Sequence, residues 1–231
     1  MDHTIELTLK EIVQETSDIK SYIFECTNND QFTWQPGQYL DYYIKHDNPD
    51  DRSEYRWVTV ASAPSERTIM LSTRFAEKSS TFKQKLSTLR PGDVVYGKGP
   101  MGSFTLPEVQ KPTVMIAGGI GITPFRAILT DLALRSGLHD VRLIYGNKSD
   151  DNVPFKSTID TLAKDNSGLT VDYVFAQHID AGVIKNLVGD IHSVNFMISG
   201  LEKMVASIKK SLIEAGLPEE SIKTDDFDGY D

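Results

Sequence analysis

Two groups of residues have the types and spacing to handle a phosphate and an aromatic ring. The first is Gly118-Gly119-Ile120-Gly121-Ile122-Thr123-Pro124, directly after the apolar run Thr113 to Ala117. Glycine lets a backbone turn sharply and approach a ligand closely, because no Cβ stands in the way. Thr123 reads as a helix N-cap and Pro124 as the first helical residue, and free N–H groups at a helix start attract phosphate. A tight strand-to-helix turn with no ligand has the same composition, so the cluster by itself leaves both readings open. The second group is Arg56-Trp57-Val58-Thr59. A guanidinium is a planar fork of donors suited to a pyrophosphate, and a hydroxyl can donate to or accept from a ring nitrogen. In a regular strand Arg56, Val58 and Val60 share one face and Trp57, Thr59 and Ala61 the other, so a bulge or strand end is needed to bring Arg56 and Thr59 to one extended ligand. An edge-strand arginine and a threonine of ordinary β propensity read the same way.

Other chemistries lack their residues. His3, His46, His139, His178 and His192 are scattered, and no Ser/His/Asp order or metal-ligand spacing stands out. The single cysteine, Cys26, excludes an intrachain disulfide framework, a cysteine zinc site and a self-contained Cys-ligated iron-sulfur cluster. A formal charge of −9 argues against sequence-independent nucleic-acid binding and against attachment to anionic lipid. The apolar runs fall well short of the roughly 20 residues a membrane helix needs, and the start of the sequence has neither a basic region nor a signal-like apolar segment. The expectation is a cytoplasmic chain that does not insert into membranes, with no metal site.

The elements that must position these residues change character along the 231-residue chain, of which 39% is apolar. The first hundred residues are β-rich: Ile5, Leu7 and Leu9 alternate, as do Tyr22, Phe24 and Cys26. Further runs lie near 39–44, 57–61, 69–73 and 94–96. One helix interrupts them, capped by Ser80 or Thr81, with Phe82 and Leu86 on its inner face. Six strands, short turns and one helix predict a small antiparallel barrel. Beyond Pro107 strands at about 113–117, 141–145, 170–176, 194–199 and 221–224 alternate with helices at about 124–135, 154–164, 182–188 and 202–215. Gly137 and Gly216 stand where helix C-caps belong. That pattern calls for a doubly wound α/β domain with a five-stranded parallel sheet, whose ligands bind at the carboxyl ends of the strands. The expected division is 1–107 for the barrel and 108–231 for the α/β domain.

Arg56-x-x-Thr59, then Gly99-Pro100-Met101-Gly102-Ser103-Phe104, then Gly118-Gly119-x-Gly121-x-Thr123-Pro124 resemble, in order, three signatures of the ferredoxin-NADP reductase superfamily. The likeness continues through Ile144-Tyr145-Gly146-Asn147, Ile198-Ser199-Gly200 and Asp226-Phe227-x-Gly229-Tyr230, and so spans nearly the whole chain.

The resemblance implies an FAD-binding barrel, an NAD(P)-binding α/β domain and a flavin ring held between them. Carried over, Arg56 contacts the flavin phosphates, Thr59 the N5 edge of the ring, and Ser79, Ser80 and Thr81 the pyrophosphate. Gly99 and Gly102 match a turn that closes the barrel beside the flavin. Gly118, Gly119, Gly121, Thr123, Pro124 and Asn147 fall to the nicotinamide dinucleotide. Ser199-Gly200 stands where the family often has Cys-Gly, close to the meeting of nicotinamide and flavin. Val58 departs from the family's stacking tyrosine or phenylalanine, with Trp57, Phe227 or Tyr230 as replacements for the aromatic surface.

The implied activity is hydride transfer from NAD(P)H, which needs two rings face to face at about 3–3.5 Å and no protein nucleophile. Electrons would pass to a separate acceptor: a ferredoxin, a flavodoxin, a haem protein or an oxygenase component. Alternatives are reduction of free flavin or a small quinone, and a non-catalytic electron-transfer subunit. Lys78, Lys83, Lys85 and Arg90 could form a basic docking patch for an acidic acceptor, or simply a solvated helix face. Lys148 favours NADPH while Asp150 and Asp151 favour NADH, which leaves both open.

Overall fold

A computed structural model describes residues 4–27, 32–107, 111–135, 138 and 140–227. Gly137 and Tyr230, both singled out above, lie outside the described residues. Period-2 alternation builds the first sheet from β1 (Thr4–Gln14), β2 (Ile19–Cys26), β3 (Tyr39–Tyr43), β4 (Tyr55–Thr59), β5 (Ile69–Arg74) and β6 (Val94–Met101). All neighbours are antiparallel, in the order β4-β3-β6-β1-β2-β5. A bridge between Val60 and Leu71 ties the two edges together, so the curled sheet closes on itself and its edge strands gain a partner. Leu7, Tyr22, Leu40, Leu71 and Val95 fill the interior. Helix α1 (Thr81–Ser87) plugs it with Phe82 and Leu86. Burying these two side chains is worth roughly 1.5–3 kcal/mol each, which ties the start of α1 to the barrel.

The second sheet is parallel, with β7 (Thr113–Gly118), β8 (Val141–Asn147), β9 (Leu169–Phe175), β10 (Asn195–Leu201) and β11 (Ile222–Phe227) in the order β11-β10-β7-β8-β9. Helices α2 (Ile122–Arg135) and α3 (Lys156–Asp165) cover one face through Phe125, Ile128 and Ile159. Helices α4 (Ala181–Val188) and α5 (Glu202–Glu214) cover the other through Ile184, Val205 and Ile208. Covered on both faces, β7 is apolar through its middle, where Val114, Met115, Ile116 and Ala117 are all buried. The strand order reverses between β7 and β10, so the switch point lies where Gly118 ends β7 and Ser199-Gly200 runs along β10. Gly216, at φ 96, follows α5 as its C-cap should, and the Leu217 amide reaches back to the Leu212 carbonyl.

The start of α2 differs from the sequence expectation. A 3-10 turn, Gly119–Gly121, runs straight into the helix, and Thr123 is its second residue instead of its cap. The Thr123 hydroxyl donates to the Ile120 carbonyl at 3.1 Å. Pro124 still sits in the first turn, where a missing N–H costs nothing. Helix α3 begins at Lys156, later than expected, because Phe155 is in the left-handed region at φ 58.

The two sheets share a core. Ala61, Met70 and Phe104 of the first half pack in one cluster with Phe125 and Ile128 of α2. Arg126 of α2 makes two 2.8 Å bonds to Glu66 and donates to the Ala61 carbonyl at 2.9 Å. Lys223 of β11 donates to the Thr105 carbonyl at 3.0 Å. These contacts hold the groove between the halves in one shape. Among the described residues no helix is long and apolar enough to cross a membrane.

Candidate functional site

A cavity of about 440 Å³ opens between the two sheets, walled by the end of β4, the end of β5, α1, the start of α2 and β11. Arg56, Trp57, Val58, Thr59, Ser79, Ser80, Thr123 and Phe227 all line it. The strand end reconciles Arg56 with Thr59: β4 stops at Thr59, and Thr59, Val60, Ala61 and Ser62 are then buried in succession, without alternation. Trp57 stays 72% exposed on the rim, its ring 5.8 Å from that of Tyr39.

One end of the cavity is cationic. Arg52, Arg56, Arg74, Lys78 and Lys83 line it. Lys83 donates to the Arg74 carbonyl at 3.0 Å. Burial, reinforced by Arg52, Arg56 and Arg74, lowers its ammonium to about 8. Arg74 pairs with Asp18 at 3.1 Å and lies against Gly119. Concentrated positive charge in a partly buried groove favours an anion.

The other end carries β11. Asp225, Asp226 and Phe227 line the cavity there. Asp225 sits beside Ser199 in register, and the fully buried Ser199 hydroxyl donates to its Oδ2 at 3.4 Å. Burial raises the Asp225 carboxyl to about 7; the Ser199 hydroxyl works against the rise and Asp226 adds to it. At neutral pH this group can hold or release a proton beside the cavity.

The glycines divide by what a side chain would meet. A Cβ on Gly121 would stand 2.2 Å from the Ser199 carbonyl oxygen, and one on Gly118 2.2 Å from Met204 Sδ. Gly200, at φ 156, is closed by Met204 as well. These three are small so that the turn can pack on β10 and α5. Gly119 is different: it is at φ 51, and a Cβ there would meet the Arg74 guanidinium at 3.1 Å. Tyr145 pins the turn from below by donating to the Gly119 carbonyl at 3.0 Å. The amide nitrogen of Asn147, at the end of β8, is buried, and its side chain acts on the Tyr145 hydroxyl beneath the turn.

Several expected residues stand off the cavity. Gly99 and Gly102 pack on Leu40 and Tyr39. Thr81 donates its backbone N–H to Asp50. Pro124 is buried in α2, while Gly118, Gly121, Ser199 and Gly200 form the floor behind Thr123 and Asp225. Sequence reasoning missed Tyr39, Arg74 and Asp225 and placed Lys83 on an outward helix face. Lys83 lies three residues before Leu86, hence on the same stripe of α1, and that spacing was the available signal.

The model of the Oxidoreductase NAD-binding domain family matches residues 115–210. A solved ferredoxin NADP+ reductase from Neisseria gonorrhoeae with bound FAD and NADP superposes with a TM-score of 0.81 at 17% identity, covering 98% of this chain and 99% of that one. The ferredoxin reductase component of a 3-ketosteroid-9-alpha-monooxygenase from Mycolicibacterium smegmatis is 29% identical over 170 residues, 70% of this chain and 46% of that protein. Residues 115–210 thus match an oxidoreductase NAD-binding domain, and the whole chain shares the two-domain fold of that ferredoxin NADP+ reductase. Flavohemoprotein A of Dictyostelium discoideum is 24% identical across 97% of the chain, which spans 60% of that protein's length. Val58 lines the cavity, and Phe227 on β11 is the aromatic ring that faces it from the parallel sheet. Ser199 spends its hydroxyl on Asp225.

Proposed function

We propose that this chain is an NAD(P)H-dependent flavin oxidoreductase. Residues 1–107 hold FAD, residues 108–231 bind NAD(P)H, and electrons leave to a separate acceptor such as a ferredoxin, flavodoxin, haem protein or oxygenase component. The observation that carries the reading is the polarity of the cavity: cations crowd one end, an uncharged wall of Val58, Leu71 and Phe227 forms the middle, and a protonatable carboxyl closes the other end. A dinucleotide flavin has a matching shape, an uncharged ring with an anionic arm. Bound there, the flavin supplies the redox chemistry that no side chain of this polypeptide offers.

The protein's part is binding and placement. Arg74 and Lys83 attract the anionic arm and Arg56 anchors the wall beside it. The Thr59 hydroxyl, at the end of β4, is placed to bond a ring nitrogen. Val58 and Phe227 confine the ring and exclude water from it. Gly119, beside the Arg74 guanidinium, and Asn147, at the end of β8, receive a second phosphate-bearing molecule at the switch point. Asp225, oriented by Ser199, holds a proton within the cavity.

The test is a visible spectrum of the purified protein reconstituted with FAD, followed by anaerobic titration with NADH and, separately, NADPH. A flavin spectrum bleached by either nicotinamide is expected. A protein that takes up no flavin, or whose bound flavin neither nicotinamide reduces, would sink the reading.

A further inference from the structure

Arg56 has little left to give a ligand. Its Nη1 donates to the carbonyls of Arg52, Ser53 and Tyr55 at 2.9, 2.9 and 2.6 Å. Its Nη2 donates to both carboxylate oxygens of Asp50 at 2.7 Å. The same carboxylate accepts the backbone N–H of Thr81, at the start of α1, at 3.2 Å. Asp50 thus takes the two kinds of donor, a guanidinium and an α1 amide, that would otherwise meet a flavin phosphate. Further bonds hold it there: its own N–H donates to the Thr81 hydroxyl at 3.0 Å, and its Oδ1 accepts the Arg52 N–H at 3.1 Å. Asn48 and Ser53, at φ 51 and 61, fold the segment back on itself. Arg56 and Ser80 line the cavity, and the Asp50 carboxylate is bonded to Arg56 and to Thr81, the neighbour of Ser80.

We propose that Asp50 is an internal counter-anion in the flavin-phosphate position, and that it sets flavin specificity by making phosphate-bearing flavins compete with a carboxylate already in place. The inference rests on the flavin reading above and deepens it. Ring and ribityl chain enter the cavity freely, whereas the phosphate gains its contacts with Arg56 only by displacing Asp50.

The test is flavin-fluorescence titration of the full chain with riboflavin, FMN and FAD, in the native protein and in Asp50→Asn and Asp50→Ala. In the native chain FMN and FAD should gain no more than about fivefold over riboflavin. Both variants should bind FMN and FAD about tenfold more tightly, close to 1.4 kcal/mol, with riboflavin unchanged. A large phosphate gain in the native chain overturns the proposal without any variant. Variants that melt normally yet bind FMN and FAD equally or less tightly also overturn it, and would make Asp50 a support for a phosphate-binding Arg56. Failure of the native chain to bind any of the three overturns the flavin reading itself, and this proposal with it.

Discussion

The two ends of the cavity bury opposite charges and deal with them in opposite ways. At the α1 end Lys83 falls to about 8, so at neutral pH it remains an ammonium in a half-buried place beside Arg74. At the β11 end Asp225 rises to about 7, so the carboxyl escapes the same penalty by taking a proton. One end keeps a charge that a ligand can neutralise; the other removes its charge and keeps a movable proton. A ligand with an anionic arm and an uncharged ring is therefore held in one direction. The glycine turn stands between these ends, and its substitution gives the largest expected effect. Gly119→Val places a branched side chain at φ 51 and pushes on Arg74, whose guanidinium already lies 3.1 Å from the position of the added Cβ. Reduction by NAD(P)H should fall about a thousandfold in kcat/KM, roughly 4 kcal/mol, while riboflavin affinity stays within about twofold. Equal losses in both measurements would mean that the turn only holds the fold together.

That contrast was half legible in the sequence. Period-2 and helical patterns placed the barrel, the parallel sheet and the turn at the end of β7, because those features follow from local periodicity. The glycines were read as one cradle, yet only Gly119 faces Arg74; Gly118 and Gly121 answer to Met204 and Ser199, contacts that no local pattern reveals. Asp225 falls in the run Asp225-Asp226-Phe227-Asp228, whose composition suits a solvated acidic tail. Its burial follows from β11 pairing in parallel with β10, which sets Asp225 opposite Ser199 across an interval of 26 residues. Asp50 belongs to Asn48-Pro49-Asp50-Asp51, residue types that make turns. The use of its carboxylate on Arg56 depends on how the loop folds back, which is a tertiary fact.

The acid end is sharpened by Asp225→Asn. A folded-state value near 7, above the ordinary 3.8, means the folded chain holds this proton more tightly than the unfolded chain. The stability it contributes is therefore complete below about pH 3.8 and is lost as pH rises through 7. At pH 8 the ionised, buried carboxylate costs up to about 4 kcal/mol, of which an asparagine left with an imperfect partner should recover about 2. Differential scanning calorimetry without added nucleotide should show Tm higher by roughly 4–8 °C at pH 8, and nearly unchanged at pH 4. A shift of the same size at both pH values would remove Asp225 from its part in the comparison.

The cationic end gives the smallest effect, because Asp50 already shields part of it. Lys83→Gln should weaken FMN by about threefold at pH 7, near 0.7 kcal/mol, and leave riboflavin alone. In the Asp50→Asn background, where the phosphate seats fully, the same change should cost about tenfold. The sign with pH follows from the lowered value: a bound phosphate stabilises the ammonium, so binding restores a proton that the free protein gives up as pH passes about 8. FMN affinity of the native chain should accordingly fall by a similar threefold between about pH 7 and 9.5, and that slope should vanish in Lys83→Gln. Should FMN bind the native chain and Lys83→Gln equally well at every pH, the ammonium meets no phosphate, and the direction of the ligand in the cavity must be set from the β11 end alone.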